Sequence, residues 1–512
     1  MPEHFRALLV IIAMSLPVFW LGRKPVCEWA IGEADFVRRR NLWLFVTALS
    51  FLAHNFWIFA IVAALVLAVA GARDSQRLGL YIFLLFAVPP FSMQIPGFGV
   101  INYLIEVNHA RLLSLAILLP AYLSLRRADQ NVPYLRTAAD WALLGYLLLQ
   151  LLLQGMLDTA TNTLRSGLYA FIDVFLPYYV ASRSLRDLQS CRDALTSFVF
   201  AVLLMAPVAA FEYLKHWLLY SSLPSALGVP FGMGNYLSRG DSLRALASTG
   251  HSIILGYLMV IALALFVFVR RLISNPNFVR LGFVTLLAGL LTPVSRGPWV
   301  GAAAVLAVVL LTGPNKASRI GRFIAMALPL GAALLVSPFG DKIIDLIPFV
   351  GTVDDFNVTY RQRLFDASIS VMKMNPLLGS FDYLSAPAMQ EMIQGEGIID
   401  MVNSYLAIGL SYGLVGLTLF SSVFLLAAWG VWRGVQHADP DDELAYLGRA
   451  LLAALVGALV TIATVSSILI IPTVYWLLAG LCVGFANLTA HRQTVSPLPV
   501  DPWVAYSRPG RR

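Results

Sequence analysis

The sequence predicts an all-α polytopic membrane protein of about 12–14 transmembrane helices with a large loop between the late spans. Three observations carry that prediction. The chain of 512 residues is 59% hydrophobic and 12% charged, with a mean hydropathy of +0.76, more apolar surface than one soluble core can hide. Its apolar residues fall in runs long enough to cross the hydrocarbon, where only helices and closed barrels satisfy their backbone polar groups. Its basic residues collect in the short segments between alternate runs, as loops on the cytoplasmic face do.

Taken in order, the first run, 7–21, resembles the core of a signal peptide, but no small-residue cleavage site follows it. It reads as a retained first span. Further runs lie near 42–70, 79–92, 111–125, 138–155, 166–181, 195–213, 253–269, 279–293, 298–312 and 323–337. A polar segment, 338–403, interrupts the series, and runs near 404–430, 446–464 and 466–487 complete it. The chain thus divides into an N-terminal bundle (1–337), a large loop (338–403), C-terminal spans (404–487) and a Pro- and Arg-rich tail (488–512) expected to be disordered.

Alternation places Arg73 and Arg77, Arg126 and Arg127, Arg183, Arg186 and Arg192, Arg270, Arg271 and Arg280, Lys316, Arg319 and Arg322, and Arg433 and Arg449 on one face, the cytoplasmic one. Arg38, Arg39 and Arg40 break the pattern by falling outside. Either the 42–70 run is divided near His54-Asn55, or the first span lies differently. The net charge of +8 is explained by topology, so nucleic acid is not an expected partner; the bilayer is. Cys27, Cys191 and Cys482 lack ligand spacing, and no Walker loop, HExxH or Gly-Xaa-Ser-Xaa-Gly elbow occurs. No metal and no cofactor are expected.

The outward segments hold the chemistry. They carry Arg239 and Arg244, Arg296 in the turn Ser295-Arg296-Gly297-Pro298, and Arg361 and Arg363, cations on the face where the topology rule disfavours them. Guanidinium forms fixed, bidentate pairs with phosphate oxygens, so these arginines are candidates for holding a pyrophosphate; the plainer alternative is salt bridging to Asp241, Asp354, Asp355 and Asp366. Thr359 with Gln362 has capping-box spacing and predicts a helix over 360–374, with Arg361, Phe365, Ser368, Ile369 and Met372 on one face. Asn375-Pro376 ends it and Gly379 permits a turn. Asp400, Glu396 and His251 are candidate general bases, each also readable as a solvated or interfacial group. Asp173 stands inside a span and is either functional or paired internally with Arg165.

Four stretches together resemble the O-antigen ligase and Wzy-type polysaccharide polymerase superfamily: Arg244 to Gly256 (RALASTGHSIILG), Ser295 to Gly301 (SRGPWVG), Arg363 to Ser380 (RLFDASISVMKMNPLLGS) and Val402 to Leu417 (VNSYLAIGLSYGLVGL). The resemblance implies a helical glycosyltransferase of the bacterial inner membrane, with its active site on the periplasmic side. Its donor would be an undecaprenyl-pyrophosphate-linked glycan, its acceptor a sugar hydroxyl, and its partners other polysaccharide-assembly membrane proteins. Arg244, Arg296 and Arg363 match the family's donor-binding arginines, with Arg239 and Arg361 beside them and Asn403 at the end of the loop. Ligases carry His-Asn where this chain has Val402-Asn403, so the ligase-type base is missing there. The first reading is a polymerase of exopolysaccharide or O-antigen repeat units; the second is a ligase transferring glycan to lipid A-core. A polysaccharide or lipid-linked glycan transporter is the rival from another class, and it would need a polar path through the spans that the sequence scarcely offers.

Overall fold

The computed structural model describes residues 1–99, 101–127, 133–230, 238–239, 242–336, 355–394 and 397–495. It is an all-α membrane protein, three quarters helical, whose strands among the described residues form two short antiparallel hairpins. Seven described helices are long and apolar enough to cross a membrane, and three shorter apolar ones accompany them.

The first four helices are α1 (Glu3–Trp29), α2 (Glu33–Leu52), α3 (Phe56–Gly71) and α4 (Arg77–Leu84). The 42–70 run is divided: His54 adopts a left-handed φ of 50°, and Asn55 caps α3 by accepting the amides of Trp57 and Ile58. The 79–92 run is helical only at its start, because Pro89-Pro90 cannot continue a helix. It leads into a hairpin of β1 (Ser92–Pro96) and β2 (Tyr103–Asn108). Next come α5 (His109–Leu113) and α6 (Leu119–Arg127), joined by a π-turn, then α7 (Ala138–Leu157), and α8 (Ala160–Tyr169) and α9 (Leu176–Ser184), again joined by a π-turn. The helix α10 (Leu188–Lys215) precedes the short α11 (Leu223–Leu227) and the two-residue strands β3 (Ser238–Arg239) and β4 (Ser242–Leu243). The series α12 (Ser252–Val269), α13 (Pro276–Leu291), α14 (Arg296–Thr312) and α15 (Lys316–Val336) leads to the large loop, which holds α16 (Asp355–Met372) and α17 (Pro387–Gln390). The chain closes with α18 (Ser404–His437), α19 (Glu443–Ile462) and α20 (Ile471–Val495).

Buried ion pairs set the register of this bundle. Arg39 of α2, wholly buried, donates to Asp74 at 2.7 Å and to Asp193 of α10 at 2.8 Å, and Arg183 of α9 donates to Asp140 of α7 at 2.6 Å. Such pairs contribute little net stability after desolvation, but removing one partner strands a buried charge and costs about 3–5 kcal/mol. Gly79 lies so close to Arg39 and Asp193 that no Cβ would fit.

The same contacts sort the helix termini. Arg39, Asp74 and Asp193, with the pairs Arg23–Glu33 and Arg192–Glu443, gather at one end of the bundle. At the opposite end the rings of His4 and His54 lie 5.3 Å apart, and Trp217 donates to Glu3. Arg38, Arg39 and Arg40 thus join Arg77, Arg183 and Arg192, because the break at His54-Asn55 supplies one more crossing. Asp173 pairs with Arg111 at 2.9 Å, not with Arg165, which donates to the carbonyls of Tyr103 and Leu104. Arg111 is better placed because Asn108 caps α5 and aims the first turn at the neighbouring helix.

Candidate active site

The end marked by His4, His54 and Trp217 also carries the starts of α12, α14 and α18 and the end of α19. The stretch Arg244 to Gly250 is a tight loop around one 3₁₀ turn, Ala247–Thr249, and a buried carboxylate holds it. Glu212, wholly buried near the end of α10, accepts the backbone N–H groups of Leu219 at 3.0 Å, Leu246 at 2.9 Å and Ala247 at 2.8 Å. Three charge-assisted bonds satisfy it without a cationic partner. The loop is pinned a second time against the turn before α14: Ala245 N–H donates to the Thr292 carbonyl at 3.2 Å, and Arg244 Nε donates to the Pro293 carbonyl at 3.0 Å. Ala247 and Val294 both sit at a left-handed φ of 46°. For a β-branched valine that conformation is strained by about 1–3 kcal/mol, and such strain concentrates at functional sites.

Val294 turns the chain so that Arg296 opens α14, half-buried. Two glycines then let α14 approach its neighbours. A Cβ on Gly297 would lie 2.7 Å from Thr464 Oγ1, and one on Gly301 would overlap Thr461. Arg296 is thereby set beside the polar turn Thr464-Val465-Ser466-Ser467 between α19 and α20. That turn also holds the end of the large loop. Ser466 Oγ donates to Asp400 Oδ1 at 2.7 Å, Ser467 Oγ to Ser404 Oγ at 2.7 Å, and Ser404 Oγ to the Val465 carbonyl at 2.9 Å. Arg296 and Asp400, over a hundred residues apart, are gathered by one four-residue turn.

His251 caps α12: its Nδ1 accepts the Ile253 N–H at 3.2 Å. The neutral ring therefore carries its proton on Nε2. Burial and the nearby Arg244 guanidinium push its pKa down, Asp400 opposes them, and the balance lies at about 4. The ring is neutral at physiological pH and stands within electrostatic reach of both Arg244 and Asp400.

The large loop carries a small core of its own. Tyr360, Leu364 and Val371 of α16 pack with Met389, Met392 and Leu410, and Tyr360 OH donates to the Asp400 carbonyl at 3.1 Å. The buried face of α16 is therefore Tyr360, Leu364, Ser368 and Val371; of the residues expected to share one face, Ser368 is buried, Ile369 and Met372 are half-buried, and Arg361 and Phe365 are exposed. The helix begins at Asp355 rather than at a Thr359 cap, because the first turn extends upstream and Thr359 lies one turn inside it. Arg363, one turn beyond Tyr360, is exposed and forms no ion pair with a described residue. Asn403 caps α18, its Oδ1 accepting Tyr405 and Leu406 N–H, which leaves only its amide NH₂ for a ligand. The Arg239 backbone pairs with Ser242 in the second hairpin; Glu396 lies outside the described residues.

The run Pro376 to Ser380 fills a break in α18. Gly413 leaves helical geometry, with φ 63° and ψ −167°. The freed amides of Leu414 and Val415 donate to the Pro376 and Leu377 carbonyls at 2.8 and 3.1 Å, and Ser380 N–H donates to the Leu410 carbonyl at 2.8 Å. Gly379, at φ 68°, makes the expected turn. A Cβ on either glycine would overlap backbone of the other segment.

Sequence reasoning missed Glu212 and the Thr464–Ser467 turn. The only signal for Glu212 was an ionisable group near the end of an apolar run, and for the turn a polar interruption between two spans. Among the described residues no cluster of side chains with metal-ligand geometry occurs. No curated protein matches the chain. Residues 281–421, which include α14, α16, the 376–380 run and the first half of α18, match the family described as O-antigen ligase, and that matched region supports the resemblance to the O-antigen ligase and Wzy superfamily.

Proposed function

We propose that the protein is a lipid-linked-glycan glycosyltransferase of the bacterial inner membrane. It would polymerise undecaprenyl-pyrophosphate-linked repeat units into exopolysaccharide or O-antigen chains on the periplasmic side. The observation that carries this reading is the Thr464–Ser467 turn, which bonds Asp400 through Ser466 and packs against Gly297 beside Arg296, with Arg244 bonded to the Pro293 carbonyl just before α14, His251 within electrostatic reach of Arg244 and Asp400, and α16, which bears the exposed Arg363, joined to Asp400 through Tyr360.

In this reading Arg296 and Arg363 hold the donor pyrophosphate, with Arg244, Arg239 and Arg361 completing the positive field. Ser466 orients Oδ1 of Asp400, and Oδ2 has no hydrogen-bond partner among the described residues. The Asp400 carboxylate takes the proton of the acceptor hydroxyl as that oxygen attacks the donor's anomeric carbon. The new C–O bond forms as the bond to pyrophosphate breaks, and undecaprenyl pyrophosphate leaves with its charge on the guanidiniums. His251 serves as an N–H donor from Nε2 rather than as the base, since Nδ1 is engaged in the cap.

The ligase reading has the description of the matched family in its favour; the polymerase reading has Val402 where ligases carry histidine. Lipid-linked glycans accumulating in a deletion strain separate them: single repeat units are expected, and complete polymers would establish ligation instead. Chain extension in vitro on purified lipid-linked repeat units tests the chemistry itself.

A further inference from the structure

Five guanidiniums converge at the other end of the bundle. Arg270 and Arg271 at the end of α12, Arg319 and Arg322 in the first turns of α15, and Arg449 of α19 line one cavity of about 270 Å³ with Tyr446. The Arg271 guanidinium lies 3.2 Å from the Tyr446 ring centroid, and that of Arg449 lies 5.1 Å from it. The turn before α15 is shaped around Arg319. Asn315 takes a left-handed φ of 53°, and a Cβ on Gly313 would fall where the Arg319 guanidinium sits.

What distinguishes this cluster is that five arginines share, among the described residues, a single neighbouring carboxylate, Asp441, which none of them pairs with directly. Arg39 and Arg183 each face a carboxylate, and Arg192 takes Glu443. Among the described residues none of the five cavity arginines forms an ion pair; Arg449 donates to the Pro440 carbonyl and bonds Tyr446, and the nearby Asp441, which attracts it from beyond ion-pair distance, accepts from Tyr446 OH at 3.3 Å. Burial, Arg271 and Arg319, in that order, lower the pKa of Arg270. Guanidinium stays protonated regardless, so the like charges are relieved by an anion rather than by proton loss.

We propose that this cavity is a binding site for a phosphate-bearing anion. Forked donors from several directions match phosphate oxygens better than they match a single carboxylate. The volume lies just below that of pockets enclosing drug-sized ligands, about 300–1,000 Å³, and suits a phospholipid headgroup or a small phosphorylated solute. The site is separate from the proposed catalytic one. It occupies the far ends of α12 and α19, about 27 Å away along the 18 residues of α12.

The test is thermal unfolding of the purified protein in phosphatidylcholine nanodiscs with millimolar inorganic pyrophosphate added, and in parallel in nanodiscs containing phosphatidylglycerol. A midpoint several degrees higher is expected in one arm, and the arm that responds distinguishes a soluble phosphate from a lipid headgroup. All arms are run in an Arg296→Gln background, which weakens pyrophosphate binding at the proposed donor site, and there Arg319→Gln with Arg322→Gln should abolish that increment. No increment in either arm, or one that survives the double substitution, overturns the proposal. Should the double variant fail to fold, Arg319→Lys with Arg322→Lys keeps both charges and removes both forks: a smaller increment supports the site, and an unchanged one overturns it.

Discussion

At the scale of single residues, Asp400 and His251 are distinguished by what already occupies their polar atoms. Asp400 has one carboxylate oxygen bonded to Ser466 and the other without a hydrogen-bond partner among the described residues, so on the proposed role Asp400→Asn, which keeps shape and hydrogen bonding, should slow chain extension about 100- to 10,000-fold. An unchanged rate would return it to the role of a loop tether. His251 should behave differently. Its folded pKa of about 4 lies below the unfolded value of about 6.5, so the unfolded state binds the extra proton as pH falls through that window. Stability should therefore be full above about pH 6.5 and decline toward pH 4, by at most about 3 kcal/mol. A thermal midpoint in His251→Gln with the same pH slope as wild type would show that another group is responsible. On the proposed donor-binding role Arg296 needs fork geometry rather than charge alone, so Arg296→Lys should lose about 30- to 1000-fold in rate, a transition-state contact of about 2–4 kcal/mol. Near-normal extension by the lysine variant would remove it from the donor site.

At the scale of elements, the decisive features are joints between distant segments, and these explain what the sequence reveals and what it hides. The helices themselves were legible, because an apolar run in lipid has few alternatives. The break at Gly413 was not. Nothing within Ser404 to Leu417 distinguishes that glycine from Gly409 or Gly416, and its amides find partners only in the Pro376–Ser380 run of another segment. Gly413→Ala should meet both a left-handed φ and the Leu377 backbone, and lower stability by about 2–3 kcal/mol or more. A variant with wild-type thermal midpoint would mean that α18 can straighten and release the run. Glu212 hid for a related reason: a carboxylate near the end of a span looks interfacial until its three amide donors fold over it. Glu212→Gln keeps one acceptor oxygen for the Leu246 and Ala247 amides but turns an NH₂ toward that of Leu219, and should cost about 1–3 kcal/mol. Glu212→Ala leaves three buried amides unsatisfied, at about 1–3 kcal/mol each, and should lose activity and stability together. If Gln proved as damaging as Ala, the negative charge itself would be in use.

At the scale of the whole molecule, the arrangement of charge decides orientation, and the Arg38–Arg40 anomaly shows how. A strict reading of the 42–70 run as one span sends these three arginines to the same side as Arg363. The left-handed His54 and the Asn55 cap insert a crossing, and Arg39 then reaches Asp74 and Asp193. The run is long enough for two short helices yet contains no proline, so only the His-Asn pair signalled the division. With that crossing included, the positive-inside rule assigns the end bearing Arg39, Arg192 and the five-arginine cavity to the cytoplasm, and the end bearing Arg296 and Asp400 to the far side. Single cysteines at Lys24, Ser318 and Ser370, all exposed, in a background lacking Cys27, Cys191 and Cys482, test this with a membrane-impermeant thiol reagent applied from outside intact cells. Ser370→Cys, on the open face of α16, should react. Lys24→Cys and Ser318→Cys should react only after the membrane is opened. Labelling of Lys24→Cys together with Ser370→Cys would restore the undivided run and separate α1 from the Arg39 network. Labelling of Ser318→Cys from outside would invert the bundle and put Arg296 and Asp400 on the cytoplasmic side, where a periplasmic polymerase could not use them.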